Sequence, residues 1–154
     1  MRDITEFYND IMTGVLNIRR IYVCSPLSSK SAAGIKANML IARDKCNQLN
    51  GVFREYGIKA WAPHAYLPVM LDDSIPEERE LAINFGLNLL EMSDVVYVFG
   101  PKLSEGMKNE IKFAIEHEMD IIVDGDVKDE VCIFIKKYAN RLKEEKSSTE
   151  GGEK

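Results

Sequence analysis

Apolar positions along this chain alternate between two spacings: short solid runs, and stripes about one helical turn apart. Residues 18–24 end in Ile21, Tyr22, Val23 and Cys24 and stop at Ser25 and Pro26. Residues 58–62 stop at Pro63 and His64, residues 95–99 stop at Gly100 and Pro101, and residues 120–123 form a fourth run. Short apolar runs bounded by Gly or Pro predict strands buried on both faces. Between them, Ile35, Met39, Ala42, Cys46, Leu49 and Phe53 form one helical stripe that Gly57 ends. Ser74, Pro76 and Glu77 have the spacing of a capping box, and Leu81, Phe85, Leu89 and Met92 mark the inward face of the helix it opens. Further helices are predicted over 104–118 and 127–142. Ahead of the first strand, Ile4, Phe7, Tyr8, Ile11, Met12 and Val15 predict a short amphipathic helix.

Strands that alternate with helices predict a three-layer, doubly wound parallel sheet of the Rossmann or flavodoxin-like kind, with four or five strands. Right-handed crossovers give the four runs the order 2-1-3-4. The chain then reverses direction between the first and third runs, and a crevice opens at their carboxyl ends. Residues 25–34, 63–66 and 100–110 should line it. The expected division is an N-terminal helix over 1–17, the α/β domain over 18–142, and a polar, disordered tail over 143–154. The N-terminal helix either packs on the domain's own core or forms a subunit contact. Its apolar stripe leads us to expect at least a dimer.

Composition narrows the function. The chain has 154 residues, 45% hydrophobic and 29% charged, which suits one globular domain. A net charge of -5 without a basic stripe argues against a nucleic-acid binder. No apolar run approaches the roughly 18 residues of a membrane span, and Arg2, Asp3, Glu6 and Asp10 interrupt any signal-peptide core. Cys24, Cys46 and Cys132 are too widely spaced for a redox or metal pair, so a reducing cytoplasm is the simplest setting. Neither a metal nor an organic cofactor is expected.

The candidate chemistry gathers at the crevice. Ser104 is placed to cap the helix after the third run, and the N–H groups of Gly106 and Met107 can hold an anion there. Glu110 follows about one and a half turns in, where the helix N-terminus favours its ionised form. An ordinary cap followed by a solvated Glu has the same spacing. His64 and Ser25 end their strands beside the same crevice, and Pro26 and Gly100 complete its expected ligand contacts. The loop holding Ser28, Ser29, Lys30 and Ser31 lacks the spacing of a phosphate-binding Walker loop. Cys24 reads as a small buried strand residue, and Trp61 as core.

These residues carry a resemblance. The pattern of Asp94, Val95 and Val96, a strand, a short loop, then Ser104, Gly106 and Glu110 resembles the nucleoside 2-deoxyribosyltransferase superfamily, which includes the deoxynucleoside-5′-monophosphate N-glycosidases. Tyr22 to Pro26, Ala62 to His64, Pro76 to Leu81 and Ser104 to Met107 resemble an uncharacterised bacterial and phage branch of it. The likeness implies that Glu110 is a nucleophile on the anomeric carbon and that Ser104 helps to hold a 5′-phosphate. It implies an enzyme that cleaves or exchanges the N-glycosidic bond of a nucleoside or nucleoside monophosphate, commonly as a homo-oligomer. The superfamily usually carries an Asp eight positions before the residue matching Asp94, and Gly86 stands there instead. Asp72 and Asp73 are the nearest replacement acids. A pocket that binds or sequesters a nucleotide without turnover is the alternative, and a purely structural subunit is a third.

Overall fold

The computed structural model describes residues 1–150, in which five parallel strands lie between two layers of helices. The elements are β1 (Arg2–Asp3), α1 (Ile4–Met12), β2 (Arg20–Cys24), α2 (Ala32–Phe53), β3 (Lys59–Trp61), α3 (Pro76–Glu91), β4 (Val95–Phe99), α4 (Glu105–Glu116), β5 (Asp120–Asp124) and α5 (Lys128–Glu150). Short 3-10 turns cover Arg54–Tyr56, Pro63–Ala65 and Leu67–Val69. The sheet order is β3-β2-β4-β5-β1. Its first four members are the predicted order. β1 adds an edge strand of two residues, too short to show a periodicity.

Strand alternation divides the core in two. Ile21 and Val23 of β2, Val95, Tyr97 and Phe99 of β4, and Ile122 of β5 face α1 and α2. Tyr22, Cys24, Val96, Val98, Ile121 and Val123 face the other way, toward α3, α4 and α5. Asp94 guides the chain into β4: its Oδ2 accepts the backbone N–H groups of Arg19 (2.8 Å) and Arg20 (2.9 Å).

α1 packs on the domain's own core, with Phe7 and Ile11 buried. Met12 and Val15 at the end of the stripe stay exposed. Two expectations change. α3 starts at Pro76 with Ile75 at the cap and no side-chain cap, because Ser74 donates instead to Asp72 through both its N–H (2.9 Å) and its hydroxyl (2.6 Å). Leu81, Phe85 and Met92 of α3 are exposed rather than inward, and its one fully buried residue is Leu90. The helix leans on the sheet at its C-terminal end, while Ala82 and Gly86 face a cleft.

The tail expected to be disordered is helical through Glu150. Lys143, Glu144, Glu145 and Lys146 are good helix formers. The hydroxyls of Ser147, Ser148 and Thr149 donate to carbonyls three or four residues back, which keeps these residues inside the helix. Residues 151–154 of that expectation lie outside the described residues.

The edge strand β3 is held by side chains of α2, Asn50 and Cys46, the latter donating to the Ala60 carbonyl at 3.1 Å. Asn50 accepts the Ala60 N–H at 2.8 Å and donates to the Ala60 carbonyl at 3.1 Å. This completes hydrogen bonds that an edge strand otherwise leaves open. Asn50→Ala strands the buried Ala60 amide and should cost about 1–3 kcal/mol, read as a lower urea midpoint with unchanged slope.

Candidate functional site

A cleft of about 980 Å³ opens on the α3 and α4 side of the sheet, beside the carboxyl ends of β2 and β3. This is the switch-point location expected for a ligand site in a doubly wound fold. Tyr22, Ser25, His64, Gly86, Ser104 and Glu110 all line it. A smaller cavity of about 300 Å³ lies at the opposite end of the strands, among Ile11, Leu16, Ile18, Tyr56 and Ile58, and offers little chemistry.

Glu110 is on α4, which Ser104 caps: the Ser104 Oγ accepts the Met107 N–H at 3.3 Å, and the Met107 sulfur accepts the Ser104 N–H at 3.5 Å. Met107 is buried and anchors the helix start in the core. Its N–H is therefore engaged by the cap; Ser104, the exposed Gly106 and Met107 all line the cleft. From this rigid start α4 delivers the Glu110 carboxylate to β2. Its Oε1 accepts the Tyr22 phenol at 2.8 Å, and the Cys24 thiol also acts on the same carboxylate.

Burial raises the Glu110 carboxyl above its ordinary value, and the Cys24 and Tyr22 donors partly offset this. Burial, then the nearby Glu110 charge, pushes the Tyr22 phenol well up, so it stays protonated and donating. The Cys24 thiol is pushed up for the same reasons and is not a thiolate nucleophile. The result is one carboxylate, open to a cleft, held in place by a neutral phenol.

Ser25 and His64 meet beside it, with Ser25 Oγ 2.7 Å from His64 Nε2. Burial lowers the imidazole to about 4, so His64 is neutral at pH 7. Neutral, it can orient Ser25 and a sugar or base hydroxyl but brings no positive charge to a phosphate. Asp72 and Asp73 lie on the exposed rim. Asp72 is taken up by its turn with Ser74, which holds its carboxyl below the ordinary value, and Asp73 lies 3.9 Å from Arg79. Pro26 and Gly100 pack on each other instead of lining the cleft. Gly100 has φ of 133°, and a Cβ there would come within 2.7 Å of Pro26 Cδ.

Two contributors were not assigned in the sequence analysis. Tyr22 and Cys24 share one face of β2, two residues apart; Tyr22 donates to Glu110, and Cys24 helps to hold its charge. The available signal was the phenol itself: a Tyr in a central, otherwise apolar strand needs a polar partner. Trp61, as expected, belongs to the packing and donates to Ser93 at 2.8 Å. Among the described residues no cluster of His, Cys, Asp or Glu could hold a metal ion, and no helix is long and apolar enough to cross a membrane.

The family described as "Domain of unknown function (DUF7768)" matches residues 19–124, which span β2 to β5 and therefore every residue of the cleft named above. No curated protein matches the chain. Among solved structures, a 2-deoxyribosyltransferase from the psychrotolerant bacterium Bacillus psychrosaccharolyticus is similar at 13% identity, over 68% of this chain and 70% of that one, with a TM-score of 0.48.

Proposed function

Because the chain belongs to the DUF7768 family, whose description assigns no chemistry, we propose its activity from the cleft itself: cleavage of the N-glycosidic bond of a nucleoside, with Glu110 as nucleophile. The observation that carries this reading is the Tyr22–Glu110 pair at 2.8 Å on the floor of a cleft of about 980 Å³. A carboxylate fixed by a neutral donor and open to a cavity has the arrangement a covalent glycosidase needs. The resemblance of Ser104, Gly106 and Glu110 to the deoxyribosyltransferase signature supports the same assignment.

A lone pair of the ionised Glu110 forms the C1′–O bond as the C1′–N bond breaks. That bond's electrons pass to the base nitrogen, which takes a proton from solvent. Water then adds to C1′, the C1′–O bond to Glu110 breaks, and the surplus proton leaves to solvent. The carboxylate is regenerated and the products are free base and free sugar, with net retention. A second base in place of water gives exchange. Ser25 and His64 orient the sugar, and the apolar side of the cleft, including Leu71, Ile83 and Leu87, faces the base.

The charges favour a nucleoside over its 5′-monophosphate. Asp72, Asp73, Glu78, Glu105 and Glu110 line the cleft, and Arg79 is the one cation among the described lining residues. That balance repels a dianion. Chromatography of base release from a panel of nucleosides and 5′-monophosphates tests the proposal. Release from nucleosides ahead of monophosphates is expected; no release from any member would overturn it. Tight binding without release would select the second reading, a non-catalytic pocket for a nucleotide-like ligand, which the absence of an acid at Gly86 favours.

The pH profile carries its own prediction. Glu110 must be ionised to attack, and its carboxyl lies above the ordinary 4.5. The acid limb of kcat/KM should therefore fall above pH 4.5. Tyr22→Phe removes a donor that favours the ionised form, so the limb should move further up. A limb that stays in place after this change would show that Glu110 is not the titrating group.

A further inference from the structure

We propose that the sugar accepted by this cleft is ribose, with Gly86 admitting its 2′-hydroxyl onto the Tyr22 phenol oxygen. The inference rests on the proposed glycosidic chemistry and names its substrate class. The stereochemistry follows from that chemistry. In a β-nucleoside the base leaves from one face of the ring, and the nucleophile bonds to C1′ from the other. The 2′-hydroxyl of ribose lies on that second face, on the adjacent carbon. Whatever surrounds the Glu110 carboxylate must therefore either hold this hydroxyl or exclude it.

The structure shows what surrounds it. Tyr22 Oη is 2.8 Å from Glu110 Oε1 and gives its single proton to that bond. The phenol oxygen keeps acceptor capacity that no other hydrogen bond uses among the described residues. Across the cleft stands α3, and the residue facing the phenol is Gly86. A Cβ at Gly86 would sit 3.6 Å from Tyr22 Oη and 3.9 Å from Pro63 Cγ. Even a methyl group there would fill the space above the phenol oxygen at van der Waals contact, and any longer side chain would cover it. Glycine leaves a gap of about one hydroxyl, with an acceptor at its base. A ribose 2′-hydroxyl fills the gap and donates to Tyr22. A 2′-deoxy sugar leaves the gap empty and the acceptor unpaired. A hydrogen bond to this hydroxyl also strengthens as positive charge develops on the sugar, so the preference should appear in kcat/KM.

The test compares base release from matched ribonucleosides and 2′-deoxyribonucleosides of adenine, guanine, cytosine and hypoxanthine. The wild-type enzyme should favour the ribonucleoside by at least about tenfold in kcat/KM. Gly86→Ala places its methyl group at ordinary contact distances and replaces a mid-helix glycine with the best helix former, so the variant should fold. It should lower the ribose-to-deoxyribose ratio by at least about tenfold, and Tyr22→Phe should lower the same ratio. Equal or faster release from deoxyribonucleosides by the wild type would overturn the ribose assignment and leave the glycosidase reading intact. A ratio unchanged in Gly86→Ala would remove Gly86 from sugar selection. No release from either sugar would end both.

Discussion

Glu110→Gln should cut the release of base by roughly a thousandfold or more, without loss of fold. The amide matches the carboxylate in shape and its oxygen still accepts the Tyr22 phenol, but it cannot form the ester to C1′. Stability should respond in the opposite sense to activity. Burial raises the Glu110 carboxyl, so the folded chain holds that proton more tightly than the unfolded chain does. The group's contribution to stability is then complete below the ordinary carboxyl range and is lost as pH rises through the folded value. Glutamine never ionises. At pH 7 the variant should melt at or above the wild-type temperature, and the gap should close below about pH 4. A fall in activity accompanied by a fall in melting temperature at pH 7 would mean that Glu110 supports the fold and not the reaction.

Phe7→Ala should be the most destabilising single change in the core opposite the cleft. Phe7 is fully buried and meets Phe53 edge-on at 5.7 Å and Tyr97 at 6.3 Å between ring centroids. Removing the ring loses its transfer free energy and leaves a cavity between α1, α2 and the sheet, at a cost of about 3–5 kcal/mol. For a chain of this size that corresponds to a melting temperature lower by roughly 10 °C. The cleft lies on the other face of the sheet, so KM for a nucleoside should change little in the protein that remains folded. A loss under about 1 kcal/mol by urea denaturation would show that α1 is an appendage and not part of the core.

The sheet was legible because its evidence is local. Solid runs such as 95–99 can only be strands covered on both faces, and the crossover rule then orders them. The side of α3 was not legible. Leu81, Phe85 and Met92 have helical spacing, but spacing identifies a helix without saying whether its stripe meets the sheet or stands over a cleft. The cap of α3 failed for a similar reason, since Ser74 had Asp72 two residues away as a better partner for its hydroxyl. At the site, Ser104 and Glu110 were visible because one helix carries both. Their partners were not: Tyr22 and Glu110 are 88 residues apart and meet only through the register of β2 against β4. The consequence of Gly86 was likewise hidden, because a missing side chain acquires meaning only from the phenol opposite it.

In the proposed reaction Glu110 becomes covalently bonded to the sugar. The most direct measurement is rapid-quench mass spectrometry of the protein during turnover of a nucleoside, followed by peptide mapping. A protein species heavier by one sugar should appear together with the first equivalent of free base. The added mass should lie on the peptide that contains Glu110 and be absent from Glu110→Gln. Free base released while the protein mass stays unaltered at every time point, with Glu110→Gln as active as wild type, would contradict it.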